Sequence, residues 1–318
     1  MRGIPWVWAG LLWALWVVGQ PEGRWECLAP LSTARQEVGV AVLGGRIYAV
    51  GGFNRFGFTL ASAEVYDPRT NRWERIPDLP VAVNHPAAVA LEGRLYVLGG
   101  YRGPGLTRPT DRVQVYDPAE HRWRQVAPLP APRGALAAVA LDGRIYAVGG
   151  ARGRAVGELS VYDPRADRWR VGSPMPTPRD HLGAVAVGGR VYAVGGRNRQ
   201  AFTLGALEAY DPTTDRWAVL PSMPRGRSGH AVAALGGCVY VLGGEGNPAA
   251  PSGNFARVEA YVIAEARWVG LGAMPTPRHG LGAAVLGERI YLPAGAVRQG
   301  LGASAVLEAY TPPPCPTR

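Results

Sequence analysis

The sequence predicts an all-β ring of six similar four-stranded antiparallel sheets, and three observations carry that expectation. An apolar strand ending in a glycine pair recurs at Gly51-Gly52, Gly99-Gly100, Gly149-Gly150, Gly195-Gly196 and Gly243-Gly244, with a degraded sixth copy at Ala294-Gly295. The copies stand 46 to 51 residues apart, a period that marks a propeller or solenoid of repeated units. Between them, short apolar runs alternate with turn signals and no sustained 3.6-residue period appears, which points to strands throughout.

Taken in order, residues 1–19 stand outside the repeat. Arg2 precedes an apolar stretch from Ile4 to Val18, and the sequence turns polar at Gln20-Pro21-Glu22. A positive start, a hydrophobic region and a small residue before the polar shift read as a secretory signal peptide. An uncleaved membrane anchor is the alternative, although the run is shorter than the roughly 20 residues a span needs. Either reading places residues 20–318, a single propeller domain, outside the cytoplasm: secreted or periplasmic with the signal peptide, membrane-anchored if the segment is uncleaved.

One unit serves for all six. Val38 to Leu43 is a small apolar run, Gly44-Gly45 a turn, and Arg46 to Val50 the strand that leads into the glycine pair. A variable loop follows, then an alternating strand ending at Tyr66, an Asp67-Pro68 turn, and Trp73 on the last strand. The tyrosines recur at Tyr116, Tyr162, Tyr210, Tyr261 and Tyr310; the tryptophans at Trp25, Trp123, Trp169, Trp217 and Trp268. Glycines allow close approach of neighbouring sheets, and the aromatic rings supply apolar area between them. Because Trp25 precedes the first glycine pair and the last unit has Tyr310 without a tryptophan after it, the strand around Arg24 to Leu28 is expected to complete the sixth sheet. Full closure of that kind leaves no open face between blades.

This order of double glycine, tyrosine and tryptophan resembles the kelch repeat, over nearly everything from residue 24 to residue 311. The resemblance implies a six-bladed β-propeller, and a binding or interaction role in which loop arginines contact acidic peptides.

Three cysteines are present, an odd number for an oxidising compartment. Cys27 lies on the closing strand and Cys315 follows the last tyrosine by five residues, so a disulfide between these two is expected, with Cys238 unpaired.

The formal net charge is +10, and every one of the 34 basic residues is an arginine, so lysine chemistry is excluded. Arg35, Arg133, Arg179, Arg227 and Arg278 occupy one position in five units, with Val83 in the second. Together with the loop arginines Arg55, Arg102, Arg152 and Arg197 they are expected to line one mouth of the central channel. Converging guanidinium groups favour carboxylates, sulfates or phosphates. His181, His230 and His279, with His85, gather in the same loops, but their offsets from the arginine position differ by one to three residues. That scatter argues against a common metal geometry, and no metal or other cofactor is expected.

Enzymatic signatures are thin: no nucleophile elbow, zinc-protease motif or phosphate loop occurs, and G-x-G strings lack the helix a nucleotide site needs. One analogy stands. Secreted six-bladed kelch-like propellers include sialic acid mutarotases, and Glu245 after a glycine pair, with Arg257 beyond the loop, resembles the glutamate and arginine that family uses. The expected function is a monomeric extracytoplasmic binding protein for an acidic protein segment or an anionic glycan, with carbohydrate epimerisation in the channel mouth as the alternative. Nucleic acid is not expected, since no strip of interleaved aromatic and basic residues is visible.

Overall fold

The structure, a computed structural model, describes residues 23–315; the expected signal or anchor lies outside the described residues. Six four-stranded antiparallel sheets form the blades of a propeller. In the first blade the strands are Gly39–Leu43, Arg46–Val50, Ala63–Asp67 and Arg72–Ile76. The next four blades repeat that order within 87–126, 137–172, 183–220 and 231–273. Among the described residues the one helical element is a 3-10 turn at Ile263–Glu265, where the fifth blade turns into its outermost strand.

The sixth blade closes as the sequence predicts. Its inner strands are Ala284–Leu286, Arg289–Pro293 and Leu307–Thr311, and the N-terminal strand Arg24–Leu28 pairs with the last of these. Trp25 falls opposite Tyr310 with ring centroids 4.6 Å apart. The same cross-strand pair joins Tyr66 to Trp73 and Tyr210 to Trp217, each at 5.2 Å. The indole N–H of Trp73 donates to the Ala29 carbonyl at 2.9 Å, and that of Trp123 to Pro77 at 2.7 Å. Trp169, Trp217 and Trp268 do the same, so the tryptophans of the first five blades tie their outer strands to the preceding blade, a polar latch on an apolar ring.

Between blades the core is made by the second and third strands. Ile47, Leu95, Ile145, Val191, Val239 and Ile290 hold one position in the six blades, and all are fully buried. Each contributes roughly 1.5–3 kcal/mol by removal from water. The innermost strands are built from Ala, Val and Gly, with a leucine only at the last position of five of them, because six strands converging on one axis leave little room for larger side chains. They line a channel of about 640 Å³.

The glycine pairs mark where each second strand leaves its sheet and passes under the next blade. Gly51 and Gly52 have φ of 64° and 92°. A Cβ on Gly51 would lie 2.4 Å from the Val83 carbonyl oxygen, and one on Gly52 2.4 Å from that of Gln36, so both the conformation and the close approach demand glycine. In the degraded copy Ala294 keeps φ at 65°, a strain of roughly 1–2 kcal/mol for a residue with a Cβ.

The disulfide differs from expectation. It joins Cys238 to Cys315, and Cys27 is a free, exposed thiol. In other blades the chain turns after the third strand to form the fourth, but here that place is already taken by Arg24–Leu28. The proline-rich tail after Thr311 therefore leaves the sheet and runs to the turn of the fifth blade, where the Cys315 Cβ lies 3.7 Å from the space a Cβ on Gly236 would fill. The bond closes a loop with a sequence separation of 77, for which restricted unfolded-chain entropy gives a stabilisation of about 2–4 kcal/mol. Cys315→Ser is expected to lower stability by that amount in denaturant titration and Cys27→Ser to leave it within about 0.5 kcal/mol; the reverse order would show the staple to be elsewhere.

Candidate functional site

The five repeat arginines do not line the mouth. Arg35, Arg133, Arg179, Arg227 and Arg278 are all 0% exposed, and each guanidinium points back along its own blade. Arg35 donates to the carbonyls of Gly51 at 3.0 Å and Ser62 at 2.8 Å, and to Glu64 at 2.6 Å. Arg179 does the same with Ala193 at 3.0 Å and Glu208 at 2.6 Å, and Arg278 with Leu292 at 3.1 Å and Glu308 at 2.8 Å. Arg227 binds the Gly243 carbonyl at 3.2 Å and the Glu259 carboxylate. The physical reason is hydrogen-bond accounting: the ladder ends at the glycine pair, leaving buried carbonyls without partners, and one guanidinium with five donors satisfies several at once. This also assigns the strand glutamates two residues before each tyrosine. In the second blade, where Val83 replaces the arginine, Gln114 replaces the glutamate and its amide spans the Val81 N–H and carbonyl at 2.8 and 3.1 Å. In the third, Ser160 accepts from Arg133 at 3.0 Å and Glu158 supplies the charge at 3.2 Å. Burial lowers the pKa of Arg133 and Arg227 to about 10, so they remain charged at neutral pH.

Of the remaining expected ligand-binding residues, Arg55 and Arg102 are exposed on loops. Arg152 is bound to Glu158. His230 lies below the mouth against the Val194 carbonyl at 3.2 Å, with its Nδ1 buried and unpartnered. Glu245 and Arg257 are not brought together. Arg257 begins a strand, half exposed, near Glu259, whereas Glu245 is buried and paired with Arg197 of the neighbouring blade at 3.0 Å.

What the entry loops do bring together lies at the channel axis. Glu37, His85, Ala135, His181, Gly229 and Gly280 share one repeat position, two residues beyond the arginine position, and all have positive φ. Each backbone N–H donates to the carbonyl of the preceding blade's residue, Glu37 to Gly280, His85 to Glu37, Ala135 to His85, His181 to Ala135, Gly229 to His181 and Gly280 to Gly229, at 2.6–3.0 Å. A closed ring of six hydrogen bonds thus surrounds the axis and fixes the side chains that spring from it.

Three of those side chains are functional in type. His85 Nε2 is 3.3 Å from a Glu37 carboxylate oxygen, and His279 Nε2 lies 3.7 Å from both Glu37 and Glu245. His181 is held by Asp180 at 2.5 Å on Nδ1 and meets Arg197 at 3.0 Å on Nε2. Arg197 also donates to Asp180 at 3.2 Å. Burial, with the nearby Glu245 charge, raises the Glu37 carboxyl to about 8. Burial also raises Glu245, partly offset by Arg197. It depresses His85 and His181, with Arg197 adding to the effect, and takes His279 to about 4 and His230 to about 3. Burial alone would raise Asp180, but His181 and Arg197 hold it below its usual range. The mouth thus holds a cluster of neutral imidazoles and perturbed carboxyls instead of a ring of guanidiniums. Glu37 was the residue that sequence reasoning passed over. Its signal was its offset: Glu37, His85 and His181 all stand two residues beyond the arginine position, while His230 and His279 are displaced by one.

Above this cluster, Tyr101, Leu106, Arg154, Arg197, Arg199 and Phe202 border a pocket of about 420 Å³ between loops of the second, third and fourth blades. The same loop face carries Phe56 at 73% exposure and Phe58 at 66%, with Leu106, Phe202, Val297 and Leu301 also exposed. Among the described residues, Arg55, Arg102 and Arg154 on these loops make no ion pair.

The Kelch motif family matches residues 34–80, 83–130, 132–176, 178–224 and 226–275. No curated protein matches the chain in sequence. Among solved structures, one described as "Structure of YjhT" aligns with a TM-score of 0.73 at 14% identity, covering 88% of this chain and 95% of that one; at that identity the likeness is one of fold.

Two outcomes follow from the buried charges. Arg179→Met leaves the Glu208 carboxylate buried without its cation and should cost about 3–5 kcal/mol. The double change with Glu208→Met should recover much of that loss in urea titration, and a strictly additive pair would overturn the assignment. The buried histidines His85, His181, His230 and His279 are neutral when folded and protonate when unfolded below about pH 6.5. Stability is therefore lost as pH falls below that value, by up to about 1.4 kcal/mol per pH unit for each. Glu37 opposes this, since its proton is retained up to about 8 in the fold and its contribution is lost as pH rises from about 4.5 towards 8. Replacing His230 by Leu should flatten the acid limb between pH 6.5 and 4, as read by denaturant midpoints; an unchanged slope would contradict a neutral buried imidazole.

Proposed function

The chain belongs to the Kelch motif family, and from that premise we propose that it is a binding propeller whose loop face takes an acidic protein segment. Kelch propellers commonly mediate protein interactions. The observation that carries the reading for this chain is the company its exposed apolar residues keep. Of the exposed large apolar residues, Phe56, Phe58, Leu106, Phe202, Val297 and Leu301 lie on one face, among Arg55, Arg102, Arg154, Arg199 and Arg298, while Val171 and Val219 stand singly on outer strands. Aromatic anchors flanked by arginines are the composition of protein-binding hot spots, and exposed apolar groups concentrated on one face mark interaction surfaces. The guanidinium groups give the partner its sign: an Asp- or Glu-rich segment with an apolar anchor. A secreted or periplasmic setting belongs to the same proposal, supported by the Cys238–Cys315 disulfide, since such bonds persist in oxidising compartments.

A second reading has one observation in its favour. Glu37 with a pKa of about 8 is poised near neutrality, as a general acid or base should be, and Arg197 beside Glu245 offers a cation for an anionic sugar. In this form the epimerase reading rests on Glu37, Glu245 and Arg197, with Arg257 excluded by its position.

A displayed random-peptide library panned on the protein should enrich Asp- and Glu-rich sequences with an apolar residue. Their affinity should fall at least about tenfold in the Phe56→Ser/Phe58→Ser double variant and weaken as salt rises. Enrichment of uncharged peptides, or affinity untouched by the double variant, sinks the proposal. Retention of anionic glycans without peptide binding would reassign the face to carbohydrate, and acceleration of sialic acid anomer exchange in NMR spectra would favour the enzyme.

A further inference from the structure

We propose that Glu37, His85 and His181 form a binding site for one divalent transition-metal ion of the zinc type at the axial ring, beneath the loop face. Their ligand atoms already lie within 4.8 Å of one another. Ligands about 2.0–2.1 Å from a tetrahedral ion stand about 3.4 Å apart, so closing the site requires small side-chain rotations and no movement of the backbone ring. The neighbouring cavity of about 90 Å³, lined by these three residues with Pro86, Leu136 and Leu182 among others, has room for an ion and a water.

Each imidazole is also anchored through its outer nitrogen. Asn84 directs its amide nitrogen at Thr59 Oγ1 and the Tyr101 carbonyl, at 2.8 and 3.2 Å, so its Oδ1 faces His85 Nδ1 at 2.7 Å. Asp180 faces His181 Nδ1 at 2.5 Å. Both partners are acceptors, so the proton of each neutral ring sits on Nδ1 and the Nε2 lone pair points inward. His279 is anchored alike: Asn254 spends its amide nitrogen on the Ala296 carbonyl at 2.9 Å and turns Oδ1 to His279 Nδ1 at 3.1 Å. An oxygen acceptor on the outer nitrogen of each ring is the arrangement that orients imidazoles towards a metal. At His85 the inward face lacks a donor: its Nε2 lone pair meets a Glu37 oxygen at 3.3 Å, two acceptors that need either a proton or a cation between them. Two imidazole nitrogens and one carboxylate select a borderline ion such as Zn²⁺ over the hard Ca²⁺ or Mg²⁺.

Backbone strain marks the same three residues. Glu37, His85 and His181 hold φ between 51° and 53° at a position where the fifth and sixth blades have glycine, so these side chains are kept in a conformation that disfavours them, as happens at functional sites. One group opposes the ion. Arg197 occupies His181 Nε2 at 3.0 Å, and an incoming metal displaces it towards Glu245 and Asp180, which it already contacts.

The full chain, stripped with chelator and titrated with Zn²⁺ in a calorimeter, should take up one equivalent. Co²⁺ in its place should give the intense visible absorption of a low-coordinate N,O site, and Zn²⁺ should raise the unfolding temperature. His85→Asn and His181→Asn should abolish the absorption, and Asn84→Ala should weaken uptake about 10–100-fold, while His121→Ala, on the far face, changes nothing. Arg197→Met, which removes the competitor without touching a ligand, should tighten binding. No stoichiometric uptake by the folded chain, uptake indifferent to His85→Asn and His181→Asn, or weaker binding in Arg197→Met would each overturn the site; the last remains decisive where the histidine variants do not fold.

Discussion

The structure depends on the way six segments of the chain cross at the inner corners of the blades. Each entry loop must pass beneath the glycine exit of its own blade while touching its neighbours on both sides, and no side chain fits between. Backbone groups therefore do the joining: the six-membered ring of N–H to carbonyl bonds at the axis, and the carbonyls at the strand exits that a buried guanidinium gathers up. Such groups, removed from water, are costly when unpaired, so the arginines are committed to the fold before any ligand is considered. A buried ion pair of this kind contributes little net energy against an apolar replacement; its value here lies in satisfying several carbonyls with one side chain.

That commitment explains why a charge pattern readable in the sequence led to the wrong surface. Arg35, Arg133, Arg179, Arg227 and Arg278 recur because the architecture recurs, and regular recurrence is the mark of a structural part. The residues that break the pattern carry the individuality of the chain: Glu37, His85 and His181 in a ring that is elsewhere Gly or Ala, and Phe56, Phe58 and Arg154 in loops without counterparts. The paired exchange of Val83 and Gln114 for arginine and glutamate in the second blade makes the same point from the other side.

The blade count, the closure by Arg24–Leu28 and the roles of the glycine and tyrosine landmarks were legible in the sequence because each follows from a local requirement repeated six times. The direction of an arginine side chain was not, since its choice between solvent and the strand exit depends on carbonyl and carboxylate groups some 14 to 30 residues away in the chain, as the Arg179 bond to the Ala193 carbonyl and the Arg278 bond to the Glu308 carboxylate show. The disulfide was misread for a related reason. Register across the seam placed Cys27 opposite Glu308, and the tail that carries Cys315 left its own sheet altogether. The axial cluster was legible in part: an equal offset in three units was present, but two further histidines at other offsets concealed it.

The closing strand has a consequence for how the molecule is made. Its five residues leave the ribosome first among the described elements and pair with Leu307–Thr311, the strand that leaves last. Throughout synthesis the sixth sheet lacks its outer edge and the first strand lacks any partner, a situation in which strands recruit neighbours from other chains. The short length of that segment and its exposed charges at Arg24 and Glu26 keep the waiting edge unattractive until the circle can be completed.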